Sequence, residues 1–126
     1  MNFVASRPIW EQLVAEFSRR IAVGQWRPGE RVPSVRTLAV EFGVNPNTVQ
    51  RALAELDRRG LMVAQGTAGR DVTRDENLIT QILNDLAGDL VRGFVSKMRD
   101  LGITRERAQQ MTDEQWQAEE GKYEPR

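Results

Sequence analysis

Between Gly43 and Leu56 the sequence reads GVNPNTVQRALAEL. Asn47, Thr48, Gln50 and Arg51 crowd its first turns, where long apolar side chains are few. Asn and Gln can bond an adenine edge at two points, Arg can bond a guanine edge in the same way, and Thr suits a phosphate or a thymine methyl. The chemistry on offer is hydrogen-bonded recognition of a polar polymer. Bond-making chemistry lacks its usual parts, since the chain has no histidine and no cysteine. Ser-His and Cys-His nucleophile pairs, disulfides and cysteine-ligated zinc are therefore excluded. The acidic residues do not fall into a loop with Ca²⁺-ligand spacing. We expect no catalytic residue, no metal and no cofactor, and an enzyme is a remote reading.

These side chains need a helix that holds them outward. Asn45 is a natural N-cap and Pro46 suits the first helical position. Val49, Ala52, Leu53 and Leu56 recur at three- and four-residue steps and form an inward stripe. At about 100° per residue, Asn47, Arg51, Ala54 and Arg58 lie roughly opposite that stripe, flanked by Thr48 and Gln50. Ala54 is small enough for close approach to a partner. The free N–H groups at the helix start suit a phosphate. Any one of these residues is as readily a cap or a solvated surface group; the case rests on the elements around them.

Pro8 to Val23 reads as a helix, with Pro8 in its first position and Gly24 just past its end. Ile9, Leu13, Phe17 and Ile21 recur every four residues, widened by Trp10 and Val14. Glu11, Glu16, Arg19 and Arg20 are expected on a solvated face. Pro28-Gly29 is turn chemistry, and Pro33 biases Val32 toward an extended conformation. Ser34 then caps a helix of about two turns, VRTLAVEF, which ends at Gly43 with positive φ. Two helices joined by a short glycine-containing turn make a helix-turn-helix. LMVAQGTAGRDV, Leu61 to Val72, reads as two short strands around a turn with Gly66 and Gly69, with Leu61 and Val63 alternating on one side. A hairpin directly after the second helix makes a winged helix, to which the ERV segment before Pro33 could add a third strand.

The segment from Pro8 to Leu61 resembles the N-terminal winged-helix domain of GntR-type bacterial transcription regulators. The resemblance is carried by W-E-Q in the first helix, by G-x-W-x-P-G-E-R-x-P-S-x-R, and by G-V-N-P-N-T-V-x-R-A-L-x-E-L-x-x-x-G-L. It extends over residues 7–72 without an obvious gap. NPNTV followed by only some fifty residues looks most like the short YtrA-type branch, whose C-terminal part serves dimerisation. The resemblance implies that Arg36 reaches a guanine, that Asn47, Thr48 and Gln50 face bases or phosphates, and that Arg51 is a neighbouring cation. It implies that Ser34 combines capping with a nearby phosphate. Two departures stand out. Pro46 sits where many relatives carry a basic residue. The wing, usually of the kind R-x-G-x-G-T-F-V, reads Q-G-T-A-G-R-D-V: Gly69 is kept, the arginines before the tip are gone, and Asp71 replaces an aromatic. A weaker wing is expected, with Gln65, Thr67 and Arg70 as its remaining contacts.

Charge supports this division. The net charge is zero. Residues 1–73 hold ten Lys/Arg against seven Asp/Glu, and residues 74–126 hold eight against eleven. The first part is mildly basic, as a polyanion partner requires, and the second mildly acidic. After a polar junction at Arg74 to Asn77, Leu78 to Leu101 reads as one long helix. Thr104 caps a short helix, and Thr112 with Gln115 fits a capping box for a last one. The tail GKYEPR is expected to fray. Some fifty residues make a poor independent core. A self-complementary dimer through Ile79, Leu83, Leu86, Leu90, Phe94 and Met98 is the natural solution. The opposite face carries Asp85, Asp89 and Asp100, which argues against a membrane surface.

The fold class expected is mainly α with a small β-hairpin wing: a winged helix-turn-helix in residues 1–74, then a helical dimerisation region in residues 75–126. The function expected is a bacterial, cytoplasmic, DNA-binding regulator that represses from a palindromic duplex site as a homodimer. The alternative is a winged-helix module that binds protein, with DNA binding weakened or lost. The second half has few clustered polar groups and no evident effector pocket, which leaves the dimer interface as the place where a small-molecule effector could act.

Overall fold

The computed structural model describes residues 1–122; the last four residues of the expected frayed tail lie outside the described residues. The elements run α1 (Ile9–Ala22), α2 (Val35–Phe42), α3 (Pro46–Arg58), β1 (Met62–Ala64), β2 (Arg70–Val72), α4 (Glu76–Asp100) and α5 (Arg105–Glu120). The architecture is mainly helical, with a β-hairpin wing after the helix-turn-helix and two long helices after the wing. Pro8 is the N-cap of α1, one position earlier than its expected place inside the helix.

The helix starts obey local chemistry. The Ser34 hydroxyl accepts from the Thr37 backbone N–H at 3.1 Å, and the Asn45 carbonyl oxygen Oδ1 accepts from the Asn47 N–H at 2.7 Å. Pro46 opens α3 behind that cap, where it forfeits no hydrogen bond. Between α2 and α3 the chain reverses at Gly43, whose φ of 64° is a left-handed conformation that side chains resist.

The core of the first unit, Met1–Leu86, is one cluster. Leu13, Phe17 and Ile21 of α1 meet Leu38 of α2 and Val49, Ala52, Leu53 and Leu56 of α3, all almost fully buried. Trp26, Val32, Leu61, Met62 and Val72 close it from the wing side. Ile9, expected on the inward stripe of α1, is exposed instead, because the stripe turns away at the first helical residue. The expected alternation in β1 is also corrected. Met62 pairs with Val72 and both are buried, while Val63 pairs with Asp71 and is exposed. Leu61 is buried just before the strand begins, so the inward residues are consecutive there.

Arg20 overturns the expectation of a purely solvated charged face on α1. Its side chain is only 12% exposed and bonds Glu16 at 2.9 Å and Glu41 of α2 at 2.5 Å. Its guanidinium lies 5.3 Å from the Trp26 ring centre and 5.0 Å from that of Phe42. A flat cation between aromatic faces suits arginine, and here it ties α1 to α2. A hydrogen bond from Arg19 holds the Glu16 carboxyl below the usual range, against the opposing effect of burial.

The first turns of α4 belong to this unit. Leu78, Ile79 and Ile82 are half-buried against its core. Ile79, expected at a dimer interface, therefore packs within its own chain. The wing ends near residue 74, where the domain boundary was expected; the two compact units divide inside α4, after Leu86.

The second unit begins at Ala87 and holds the rest of α4 and all of α5. Thr104 caps α5 by accepting from the Arg107 N–H at 3.1 Å. A break at Thr112 was expected, but α5 is continuous from Arg105 to Glu120. The Thr112 hydroxyl donates back to the Ala108 carbonyl at 2.8 Å, so it is used inside the helix and not as a cap. Neither α4 nor α5 has a buried residue. Leu90 is 76% exposed and Trp116 70%.

Truncating a fully buried side chain in the three-helix core should cost its transfer energy plus that of the cavity left behind. Leu53→Ala is expected to lower the unfolding free energy by about 2–5 kcal/mol, read from the midpoint of a urea titration.

Candidate nucleic-acid interface

Burial of one side of α3 decides what the other side presents. With Val49, Ala52, Leu53 and Leu56 inward, Asn47, Gln50, Arg51, Ala54 and Arg58 are exposed and Thr48 is half-buried. The cap at Asn45 occupies the Asn47 backbone N–H, and the Asn47 side chain makes no hydrogen bond among the described residues. Arg36, second residue of α2, is exposed. It makes no ion pair among the described residues. The Ser34 hydroxyl is more committed, since it also donates to the Thr37 hydroxyl at 2.9 Å.

Arg51 has a partner that the sequence did not announce. Its guanidinium stacks 4.3 Å from the ring centre of Trp10 in α1. Stacking uses the flat face of the guanidinium and leaves the in-plane N–H edge for an acceptor. It also restrains a long side chain before any partner arrives. Arg58, lower on the same helix, is paired with Glu55, which also accepts from Arg59 at 3.0 Å.

The wing is braced from two sides. Arg70, expected to be a wing contact, instead directs its Nε–H at both carboxylate oxygens of Asp57, at 3.0 and 2.9 Å. The Arg70 side chain is only 19% exposed, so it fastens β2 to the end of α3. On the other edge, residues 29–32 lie along β2. Gly29 N–H donates to Val72 O at 2.9 Å, Val72 N–H to Glu30 O at 2.8 Å, and Val32 N–H to Arg70 O at 2.9 Å. The expected third strand is thus a single bridge, Arg31 opposite Asp71. Arg31 Nε donates to Asp71 at 2.7 Å, and its Nη1 donates to the Ala68 carbonyl at the wing tip. Gln65 and Thr67 are exposed at the tip. The tip is closed by the Gln65 N–H on the Gly69 carbonyl at 2.7 Å.

The arrangement is a winged helix-turn-helix with its polar helix outward, and the relatives of the chain agree. Residues 10–72 match the model of the family described as bacterial regulatory proteins, gntR family. The HTH-type transcriptional regulator YhcF of Bacillus subtilis is 32% identical over 105 residues, covering 83% of this chain and 87% of that one. The chain belongs to the gntR family. The HTH-type transcriptional repressor YtrA of B. subtilis is 37% identical over 79 residues, covering 63% of this chain and 59% of that one. A solved GntR-family transcriptional regulator from Listeria monocytogenes superposes with a TM-score of 0.83 at 36% identity, over 89% of this chain and 98% of that one. This is a short-form GntR regulator, close to the YhcF and YtrA types. It is a DNA-binding transcriptional regulator of that family. No helix among the described residues is long and apolar enough to cross a membrane.

Within this GntR domain, carboxylates sort the cations of α3. Hydrogen bonds from Arg58, then Arg59, hold the Glu55 carboxyl down to about 2. A depressed carboxylate stabilises the fold above its unfolded pKa of about 4.3, and that contribution is lost as pH falls toward the folded value. Arg58→Ala should raise the Glu55 pKa toward the ordinary range, read by carbon-detected NMR titration of the side-chain carboxyl. A Glu55 value that stays near 2 would show that Arg58 is not its partner and is free for another anion.

Proposed function

We propose that this regulator binds a palindromic operator as a homodimer and represses transcription from it. The observation that carries the reading is the pairing of an uncommitted, exposed Arg36 on α2 with the open polar face of α3. In a helix-turn-helix the second helix enters the major groove with its N-terminal residues at the base edges. On this reading Arg36 bonds a guanine, Asn47 and Gln50 face bases, and Thr48 reaches a phosphate with help from Ser34 and Arg51. Pro46 leaves the first turn without a cation, so base reading falls more heavily on Arg36 and Asn47. Gln65 and Thr67 would reach the duplex from the wing. YtrA is a transcriptional repressor, and repression comes to this chain by that likeness alone.

The second unit supports the dimer. Leu90, Val91, Phe94, Val95 and Trp116 are exposed in a helix pair that buries nothing of its own, and Leu83 is exposed just before it on α4. Phe94 and Met98 front two apolar grooves in that unit. One is about 1020 Å³ and reaches Met111 and Trp116; the other is about 950 Å³ and reaches Val95 and Ile103. Apolar surface on this scale marks an interaction site, and a second copy can cover it symmetrically. A dimer also sets two α3 helices for two half-sites.

In-vitro selection from a random duplex library should enrich an inverted repeat. Enrichment of no sequence would favour a protein-binding winged helix. On the selected site, Arg36→Ala is expected to cost about 1–3 kcal/mol and to relax preference at one guanine per half-site. A loss that is equal for all sequences would remove its base-reading role. Replacing Leu86 and Leu90 together with Asp should halve the mass seen by light scattering. An unchanged mass would place the subunit contact elsewhere.

A further inference from the structure

We propose that Arg31 is the wing's phosphate-binding cation, supplied from the strand before α2 and not from the hairpin itself. This rests on the DNA-binding reading and adds a residue to its contact surface. The hairpin's own arginine, Arg70, is withdrawn into its ion pair with Asp57. Gln65 and Thr67 carry no charge. Arg31 takes the vacant role because the bridge to Asp71 sets it beside the tip.

Two hydrogen bonds hold its guanidinium there. Nε donates to Asp71 at 2.7 Å. Nη1 donates to the Ala68 carbonyl, inside the turn. Gly69 lies beside it: its absent Cβ would stand at ordinary contact distance, 3.6 Å from Arg31 Nη1 and 3.8 Å from its Cδ, and only the φ of 103° disfavours a side chain there. The arginine therefore lies along a bare stretch of backbone at the tip.

Its chemistry remains available. The Arg31 side chain is 54% exposed. A guanidinium has five N–H donors in a flat fork, and these two bonds leave donors for an anion. An exposed Arg–Asp pair is weak in water, so a phosphate can share or displace it. Phosphate contact releases condensed counterions from the duplex and is insensitive to base sequence. Arg31 and Arg36 thus divide the work. The first adds affinity on any duplex, and the second discriminates.

The test measures dissociation constants across a KCl series for the full chain, on the selected operator and on an unrelated duplex. Arg31→Ala should weaken both by a similar factor, about tenfold at low salt, and reduce the salt slope by about one per protomer. Arg31→Lys should keep the wild-type slope, because the charge is kept. Arg31→Gln, a shorter but neutral side chain with an N–H donor, should repeat the slope change if the alanine variant fails to fold. A wild-type slope in both neutral variants overturns the proposal, whether or not affinity falls, because Arg31 would then only brace the wing. Wild-type protein with no salt-dependent affinity for either duplex would refute the DNA reading itself, a result distinct from a normal slope that Arg31 does not affect.

Discussion

Burial of the Val49–Ala52–Leu53–Leu56 stripe is the constraint on which the functional surface depends. These four side chains are almost completely removed from water against α1 and its neighbours. A helix with one face fixed has no rotational freedom left, so the opposite face is assigned with it. Asn47, Gln50, Arg51 and Ala54 are outward because Leu53 and Leu56 are inward. Each fully buried Leu or Val contributes about 1.5–3 kcal/mol, far more than any outward polar group could cost by being displaced. The apolar core thus sets which face of α3 is outward, and the polar residues there are free of any role in core packing.

Carboxylates impose a second order on the surface. A chain of zero net charge must still present cations to a polyanion. It does so by neutralising some arginines and sparing others. Arg20 joins α1 to α2 through Glu16 and Glu41, Arg70 fastens the wing through Asp57, and Arg58 and Arg59 are held by Glu55. Arg36 is left open, and Arg51 is steadied by a neutral ring that does not cancel its charge. Trp10 and Glu55 therefore differ in consequence although both hold an arginine. A π-face orders the cation and leaves its charge unpaired, whereas a carboxylate offsets part of that charge, most where the arginine is also withdrawn from solvent as Arg70 is.

Local signals were legible where local chemistry decides. The caps at Ser34, Asn45 and Thr104, the turn at Gly43 and the stripe of α3 follow from residue type and spacing, and the structure contains each. The GntR resemblance rests on the same region. What was not legible depends on contacts between distant segments. That Arg20 is sandwiched by Trp26 and Phe42 requires knowing how α1 meets α2. The fate of Arg70 requires the distance from β2 to Asp57, and the place of Arg31 requires the register of a bridge across forty residues. Thr112 misled for a different reason. A capping-box pattern reports a competent cap, but the run RERAQQM before it had no breaker, and a threonine within a helix can return its hydroxyl to the carbonyl four residues back.

The two units differ in how complete each is. The first holds a closed core, a capped set of helices and a wing braced on both edges. The second has helices with sound caps but no buried residue, so its regularity comes from backbone hydrogen bonds and not from packing. Most helical stability in proteins comes from packing of an apolar face, and beyond Leu86 α4 and the 16-residue α5 leave theirs largely exposed. α5 is the weaker case, since its apolar residues Met111 and Trp116 are few and exposed. A second copy laid on Phe94, Met98 and Trp116 would supply the missing packing. On that reading operator binding and folding of the C-terminal helices are linked through subunit concentration, because the same association that spaces two reading faces also stabilises the helices that space them.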